Sequence, residues 1–79
     1  PPDYPASARR RGLTGVVELR FLVEPDGAVS EVEVVSARPE GIFEQAAIQA
    51  VRRWRFRPGL VQGRPVRTWM RIPITFQLR

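Results

Sequence analysis

Residues 15–36 read GVVELRFLVEPDGAVSEVEVVS, and their hydrophobic period is two. Val17, Leu19, Phe21 and Val23 fall on one face of an extended chain, with Val16, Glu18, Arg20 and Leu22 on the other. Pro25-Asp26-Gly27 interrupts the run. Proline presets φ there and glycine accepts φ > 0, so the chain turns. Alternation then resumes, with Ser30, Val32, Val34 and Ser36 against Val29, Glu31, Glu33 and Val35. Two such runs across such a turn predict a β-hairpin.

Upstream, Pro5-Ala6-Ser7-Ala8-Arg9-Arg10-Arg11-Gly12 has proline at the start and glycine past the end of a two-turn helix. Its arginines sit against the negative end of the helix dipole. Downstream of Pro39 the period lengthens to about 3.6. Phe43, Ala46, Ala47, Ala50, Val51 and Trp54 mark one face of a longer helix. Gly41 is its expected N-cap, with Glu44 three residues on as the reciprocal partner. Phe56 and Pro58-Gly59 end it, and Gln62-Gly63-Arg64-Pro65 forms a second turn. From Val66 to Arg79 the pattern alternates again, with Met70, Ile72, Ile74, Phe76 and Leu78 on the apolar face. The order is α-β-β-α-β. It predicts an α+β domain: a three-stranded antiparallel sheet with a short N-terminal helix and one long helix packed on one face. Phe21, Phe43, Trp54 and Phe56 are its expected aromatic core.

Composition narrows the chemistry. Seventy-nine residues give one domain, 1–79, with 43% hydrophobic and 27% charged residues. A chain this short buries only about 60% of its unfolded surface. There is no cysteine and no histidine, and all thirteen cationic residues are arginine. Disulfides, thiolate or imidazole metal sites, Schiff bases and the usual general base are therefore excluded. We expect neither enzyme activity nor a cofactor. No apolar run approaches the ~20 residues of a membrane-spanning helix. The opening Pro1-Pro2, rather than methionine, reads as a cut from a longer protein at a proline-bearing linker.

Three features compete for function. Arg9-Arg10-Arg11 and Arg52-Arg53-Trp54-Arg55-Phe56-Arg57, in a chain of net charge +5, could mark a nucleic-acid surface with Trp54 and Phe56 as stacking platforms. Helical spacing instead places Trp54 in the core, with the arginine stems covering the aromatics, and no nucleic-acid partner is expected. Glu31 and Glu33, two apart on a strand, and the scattered Asp3, Glu40 and Glu44 make no paired-carboxylate site. The last feature is the long final strand. If it lies at an edge, its backbone groups can accept an extended peptide or another copy of the chain, and the pattern leaves both open. Pro73 is an edge-blunting device in either case.

With these residues in view, the chain resembles the TonB C-terminal domain family. The likeness rests on Tyr4-Pro5 with Ala8-Arg9, Gly15-Val16-Val17, Asp26-Gly27, Val34-Val35-Ser36-Ala37 and Phe43-Glu44-Gln45-Ala46-Ala47. It continues through Ala50-Val51-Arg52-Arg53-Trp54-Arg55-Phe56-Arg57-Pro58, Gly63-Arg64-Pro65-Val66 and Pro73-Ile74-Thr75-Phe76. The W-R-F-R-P segment is the most specific piece.

The resemblance implies a non-catalytic periplasmic domain that captures the TonB box of an outer-membrane transporter as a strand added beside the final strand. The positions so implied are Arg67, Thr68, Trp69, Met70, Arg71, Ile72, Ile74, Thr75, Phe76 and Gln77, with the Tyr4-Pro5 motif near the site. Arg67, Arg71 and Arg79 would flank the peptide and steer an acidic residue. It further implies an inner-membrane anchor coupled to the ExbB–ExbD motor, then a proline-rich spacer whose end is residues 1–3, and homodimers through the open edge. Some enteric relatives carry glutamine three residues before the tyrosine, where Pro1 stands here, so the resemblance implies that one side-chain contact is lost. A TolA-like envelope domain, binding protein rather than a transporter box, shares the architecture and is the alternative.

Overall fold

In the computed structural model, which describes residues 2–78, the two alternating runs become β1 (Gly15–Val23) and β2 (Val29–Arg38), paired antiparallel. The turn between them is held by its own chemistry. Gly27 takes φ +90°, Asp26 Oδ1 accepts from the Ala28 N–H at 2.9 Å, and Glu24 and Ala28 close the hairpin at 2.8 Å. A short helix, α1 (Ala6–Arg10), precedes the hairpin and a longer one, α2 (Glu44–Arg53), follows it. The last strand is β5 (Thr68–Phe76), which pairs antiparallel with β1 from Gly15↔Phe76 to Val23↔Thr68. Sheet order is β2-β1-β5, so the most apolar strand is central and β5 lies at an edge.

Val17, Leu19, Phe21 and Val23 turn one face of β1 wholly inward. They meet Phe43, Ala47 and Val51 from the α2 region and Ile74 and Phe76 from β5. The small Ala47 and Ala50 let α2 lie close on the sheet. Phe43 and Phe76 stack at 4.5 Å, and Tyr4 meets both edge-on at 5.5 and 5.9 Å. Such aromatic pairs contribute about 0.5–1.5 kcal/mol each beyond their area. The Tyr4 hydroxyl donates to the Leu13 carbonyl, which ties the chain's entry to the sheet.

Four expectations need correction. Strand β2 does not alternate cleanly, because its register with β1 shifts between Glu18 and Leu19 and again between Arg20 and Leu22. Each shift is an extra residue on β2, and Glu31 takes φ +50° at the second. Helix α2 ends at Arg53; Trp54 is already extended, with ψ 156°, so neither Trp54 nor Phe56 belongs to the helix. Both are only partly buried, Phe56 resting on Phe21 at 5.2 Å. The N-cap position of α2 is Phe43 rather than Gly41, although the Gly41 N–H does donate to Glu44 Oε2 at 2.7 Å.

The fourth correction concerns the second turn. A separate two-stranded ribbon, β3 (Leu60–Val61) with β4 (Arg64–Pro65), surrounds Gln62-Gly63, where a turn running on through Pro65 was expected. Strand β5 is correspondingly shorter than the expected 66–79, so Arg67 and Gln77 lie outside it. The readings placed on Pro1 and Arg79 lie outside the described residues.

Candidate functional site: the free edge of β5

A strand presents N–H and C=O of alternate residues to alternate sides, so β5 has one set aimed at β1 and one aimed away. Pro73 tells which is which. Proline has no N–H to give, and within a sheet it sits where that donor would face solvent. The pairing of β5 with β1 runs through Glu18↔Pro73 without a register shift. An unbroken ladder therefore puts Trp69, Arg71, Pro73 and Thr75 outward. Three N–H groups and four carbonyls line the free edge. Among the described residues, no backbone bond outside the sheet ladders involves Trp69–Phe76.

Side chains of the same four residues stand on the sheet face opposite the helices, and charge is arranged there in pairs. Arg20, on β1, reaches Glu33 at 2.7 Å and lays its guanidinium 3.6 Å from the Trp69 ring centroid. Arg71 is ion-paired with Glu18, which lies diagonal to it across the β1–β5 pair. Arg67 pairs with Glu24 at 3.0 Å and Glu31 at 3.5 Å. The Ser30 hydroxyl donates to Glu24, and this bond, ahead of Arg67, holds the Glu24 carboxyl below its ordinary pKa of 4.5. Arg67 and Arg71, both expected to wait for an incoming carboxylate, thus already hold partners of their own. A peptide acid must share Arg71 with Glu18.

On the helix-side face, Ile74 and Phe76 are buried while Thr68, Met70 and Ile72 are half-buried. Half-buried apolar groups at an edge form a shelf that an adjacent strand's side chains can extend. The remaining expected site residues are placed as follows. Tyr4 and Pro5 lie at the Phe76 end of β5, through the aromatic contact; Gln77 follows the strand and is exposed. Trp54 and Phe56 are tilted against one another with centroids 6.1 Å apart and pack on the core, so they are poor stacking platforms for bases. The Arg20–Trp69 stack was not anticipated; its only sequence signal is an aromatic and an arginine on strands whose pairing must first be known.

The opposite edge is built differently. Strand β2 carries both bulges, and a groove of about 490 Å³ runs beside Val34–Arg38, Glu40 and Glu44. Bulges twist an edge away from regular pairing. Of the two edges, only β5 offers nine residues in continuous register. Among the described residues, no cluster of three or more acidic residues could hold a metal, and no helix is long and apolar enough to cross a membrane.

Comparison with known proteins agrees in sequence and in fold. The family model described as "Gram-negative bacterial TonB protein C-terminal" matches residues 1–78. The chain is 40% identical over 77 residues to protein tonB2 of Pseudomonas aeruginosa, covering 98% of this chain and 28% of that one. It is 39% identical over 77 residues to protein TonB of Klebsiella pneumoniae, covering 98% and 30%. The chain therefore spans less than a third of the length of these curated relatives. The solution structure of the Pseudomonas aeruginosa TonB C-terminal domain superposes with a TM-score of 0.83 at 31% identity, covering 99% of this chain and 79% of that one. The structure of the TonB2 protein of Vibrio anguillarum superposes with a TM-score of 0.74, also at 31% identity, covering 100% and 76%.

Proposed function

This chain belongs to the TonB C-terminal family, and from that premise we propose that it captures an extended segment of an outer-membrane transporter, the TonB box, as a fourth strand beside β5. The observation that carries the reading is the edge itself: nine residues, paired on one side only, in a register without a bulge. In this reading the domain works in the periplasm as a non-catalytic coupler. It passes work from an inner-membrane motor of the ExbB–ExbD type, through an anchored N-terminal segment and spacer, to the transporter.

Energetics favour a reversible grip. Three N–H groups and four carbonyls allow at most seven main-chain bonds. At ~0.5–1.5 kcal/mol net each, they contribute about 4–10 kcal/mol. Association costs ~4 kcal/mol or more. Backbone pairing alone gives weak binding, and the shelf of Met70 and Ile72 supplies what side-chain affinity the added strand gains. Strand addition reads main-chain groups for affinity and alternate side chains for specificity. A coupler that must engage, transmit force and release is well served by that balance.

The test is a titration of isotope-labelled domain with TonB-box peptides, following backbone amides. The expected result is the largest shifts at Trp69, Arg71 and Thr75, with new protection of those amides from exchange. Shifts centred on β2, or no response to a panel of boxes, would sink the reading. In the second case a TolA-like role, with a folded protein as partner, would take its place.

A further inference from the structure

Every aspartate and glutamate of the chain lies at or before Glu44, while eight of the thirteen arginines follow it. The β3–β4 ribbon projects from the middle of this acid-free half. Its turn is tight, with φ +51° at Gln62 and +77° at Gly63, as a type I′ hairpin requires. Its base is tied down: the Val66 N–H donates to the Gly59 carbonyl at 3.0 Å, and the Gly59 N–H donates to the Thr68 hydroxyl at 2.7 Å. Beyond that base β3 and β4 pair only with each other. Leu60 and Val61 are the two most exposed large apolar residues described, at 64% and 57%. Arg57 and Arg64 flank them, and neither has an ion-pair partner among the described residues, unlike Arg67 and Arg71.

Two details point to the kind of surface that covers this tip. Successive residues of a strand face opposite ways, so Leu60 sits with Pro65 on one side of the ribbon and Val61 with Arg64 on the other. A flat protein surface covers one side only, whereas a lipid surface that the ribbon enters edge-on covers both. The flanking charge is all positive. We propose that the β3–β4 ribbon is a membrane-docking tip, which seats Leu60 and Val61 at the acyl boundary of an anionic phospholipid surface while Arg57 and Arg64 meet the headgroups. Apolar insertion combined with headgroup attraction is how peripheral elements bind bilayers. The inference does not depend on peptide capture, since Thr68 enters it only through its side chain and none of the free edge's outward backbone groups takes part. It gives a domain that must find transporters a way to search in the plane of the membrane.

The test uses this chain with phosphatidylcholine vesicles, plain or containing phosphatidylglycerol, in a co-flotation assay over a range of ionic strength. Association with the anionic vesicles is expected. The double variant Leu60→Ser/Val61→Ser should lower partitioning about tenfold or more. Arg57→Gln and Arg64→Gln should each lower it about fivefold and reduce its salt dependence. Both positions are exposed, and circular dichroism checks that the fold is kept. A Leu60→Trp variant should show a blue-shifted emission quenched by brominated lipid, above the background of Trp54 and Trp69. Failure to float at low ionic strength, or floating unaffected by the serine pair, would overturn the proposal. So would polyglutamate binding with the same dependence on Leu60 and Val61, which would make the tip a protein-facing surface.

Discussion

Replacing Pro73 with alanine restores one N–H to β5, and the direction in which that N–H points decides whether the free edge has been read correctly. If it points away from β1, as the unbroken register requires, the sheet ladder gains nothing. Stability should then fall slightly, by about 0.4–1 kcal/mol, because alanine frees the unfolded chain. The free edge gains one donor. A peptide strand with a carbonyl opposite position 73 should bind tighter by ~0.5–1.5 kcal/mol, about two- to tenfold.

Three measurements on the same variant separate the outcomes. Urea unfolding gives the stability change, calorimetric titration with a TonB-box peptide gives the affinity, and amide exchange gives the direction. The amide at position 73 should exchange quickly, like those of Trp69, Arg71 and Thr75, while Met70, Ile72, Ile74 and Phe76 stay protected. On adding peptide, the fast set should slow. If the new amide is protected without peptide, the variant is more stable than the parent and peptide affinity is unchanged, then the donor faces β1. In that case the whole outward set has been misassigned.

Other outcomes follow from the turns and from the carboxylates. A Cβ on Gly63 meets nothing within 4 Å, so Gly63→Ala should cost only the left-handed backbone penalty, about 1–2 kcal/mol. At Gly27, also at positive φ, a Cβ would lie 2.7 Å from the Phe56 carbonyl oxygen, a backbone atom held in place by the Phe56 N–H bond to Gly27. Gly27→Ala should therefore cost ~1–3 kcal/mol more than Gly63→Ala in urea melts, and equal costs would show that the turn is not locked to the segment after α2. Glu24 and Glu44 both have folded pKa values below 4.5, Glu24 chiefly through the Ser30 hydroxyl and Glu44 chiefly through the Gly41 N–H. Their stabilisation is complete above the unfolded pKa and is lost as pH falls through the folded one. Stability should thus decline below about pH 4.5, and Ser30→Ala and Glu44→Gln should each flatten that decline in acid titrations followed by circular dichroism.

The hairpin was legible in the sequence because two independent signals agreed: a period of two over Val17–Val23 and turn chemistry at Pro25-Asp26-Gly27. The misreadings came from places where local pattern and backbone part company. Trp54 stands three and four residues after Val51 and Ala50, so spacing alone carries the helix onto it. The chain instead turns extended there and swings Phe56 onto Phe21. The bulges in β2 are invisible to alternation, because an extra residue leaves the composition of the run unchanged while moving Val35 and Glu31 out of step. The ribbon at Leu60–Pro65 needs a positive φ at Gln62, a residue type that gives no warning of it. For the site, the sequence shows that the last strand is long and where its proline sits. It does not show that Arg67 and Arg71 are already paired, since Glu24, Glu31 and Glu18 reach them only through sheet order.

That pairing bears on how an open edge can be used without being a hazard. A long unbulged strand is a template for any other, including a second copy of itself. Two β5 edges meeting antiparallel would bring two Pro73 residues, each lacking a donor, into one ladder. In the register that sets Arg71 against Arg71, like charges would also be opposed across strands, which is destabilising to the extent that Glu18 leaves them unsatisfied. A foreign strand that is neutral or acidic on its outer face meets neither obstacle in full. It faces one proline instead of two, and an arginine whose charge Glu18 already half satisfies. Pro73 would thus disfavour self-pairing more than it disfavours an added peptide strand. The bulged β2 edge lacks the continuous template that makes such a bias necessary.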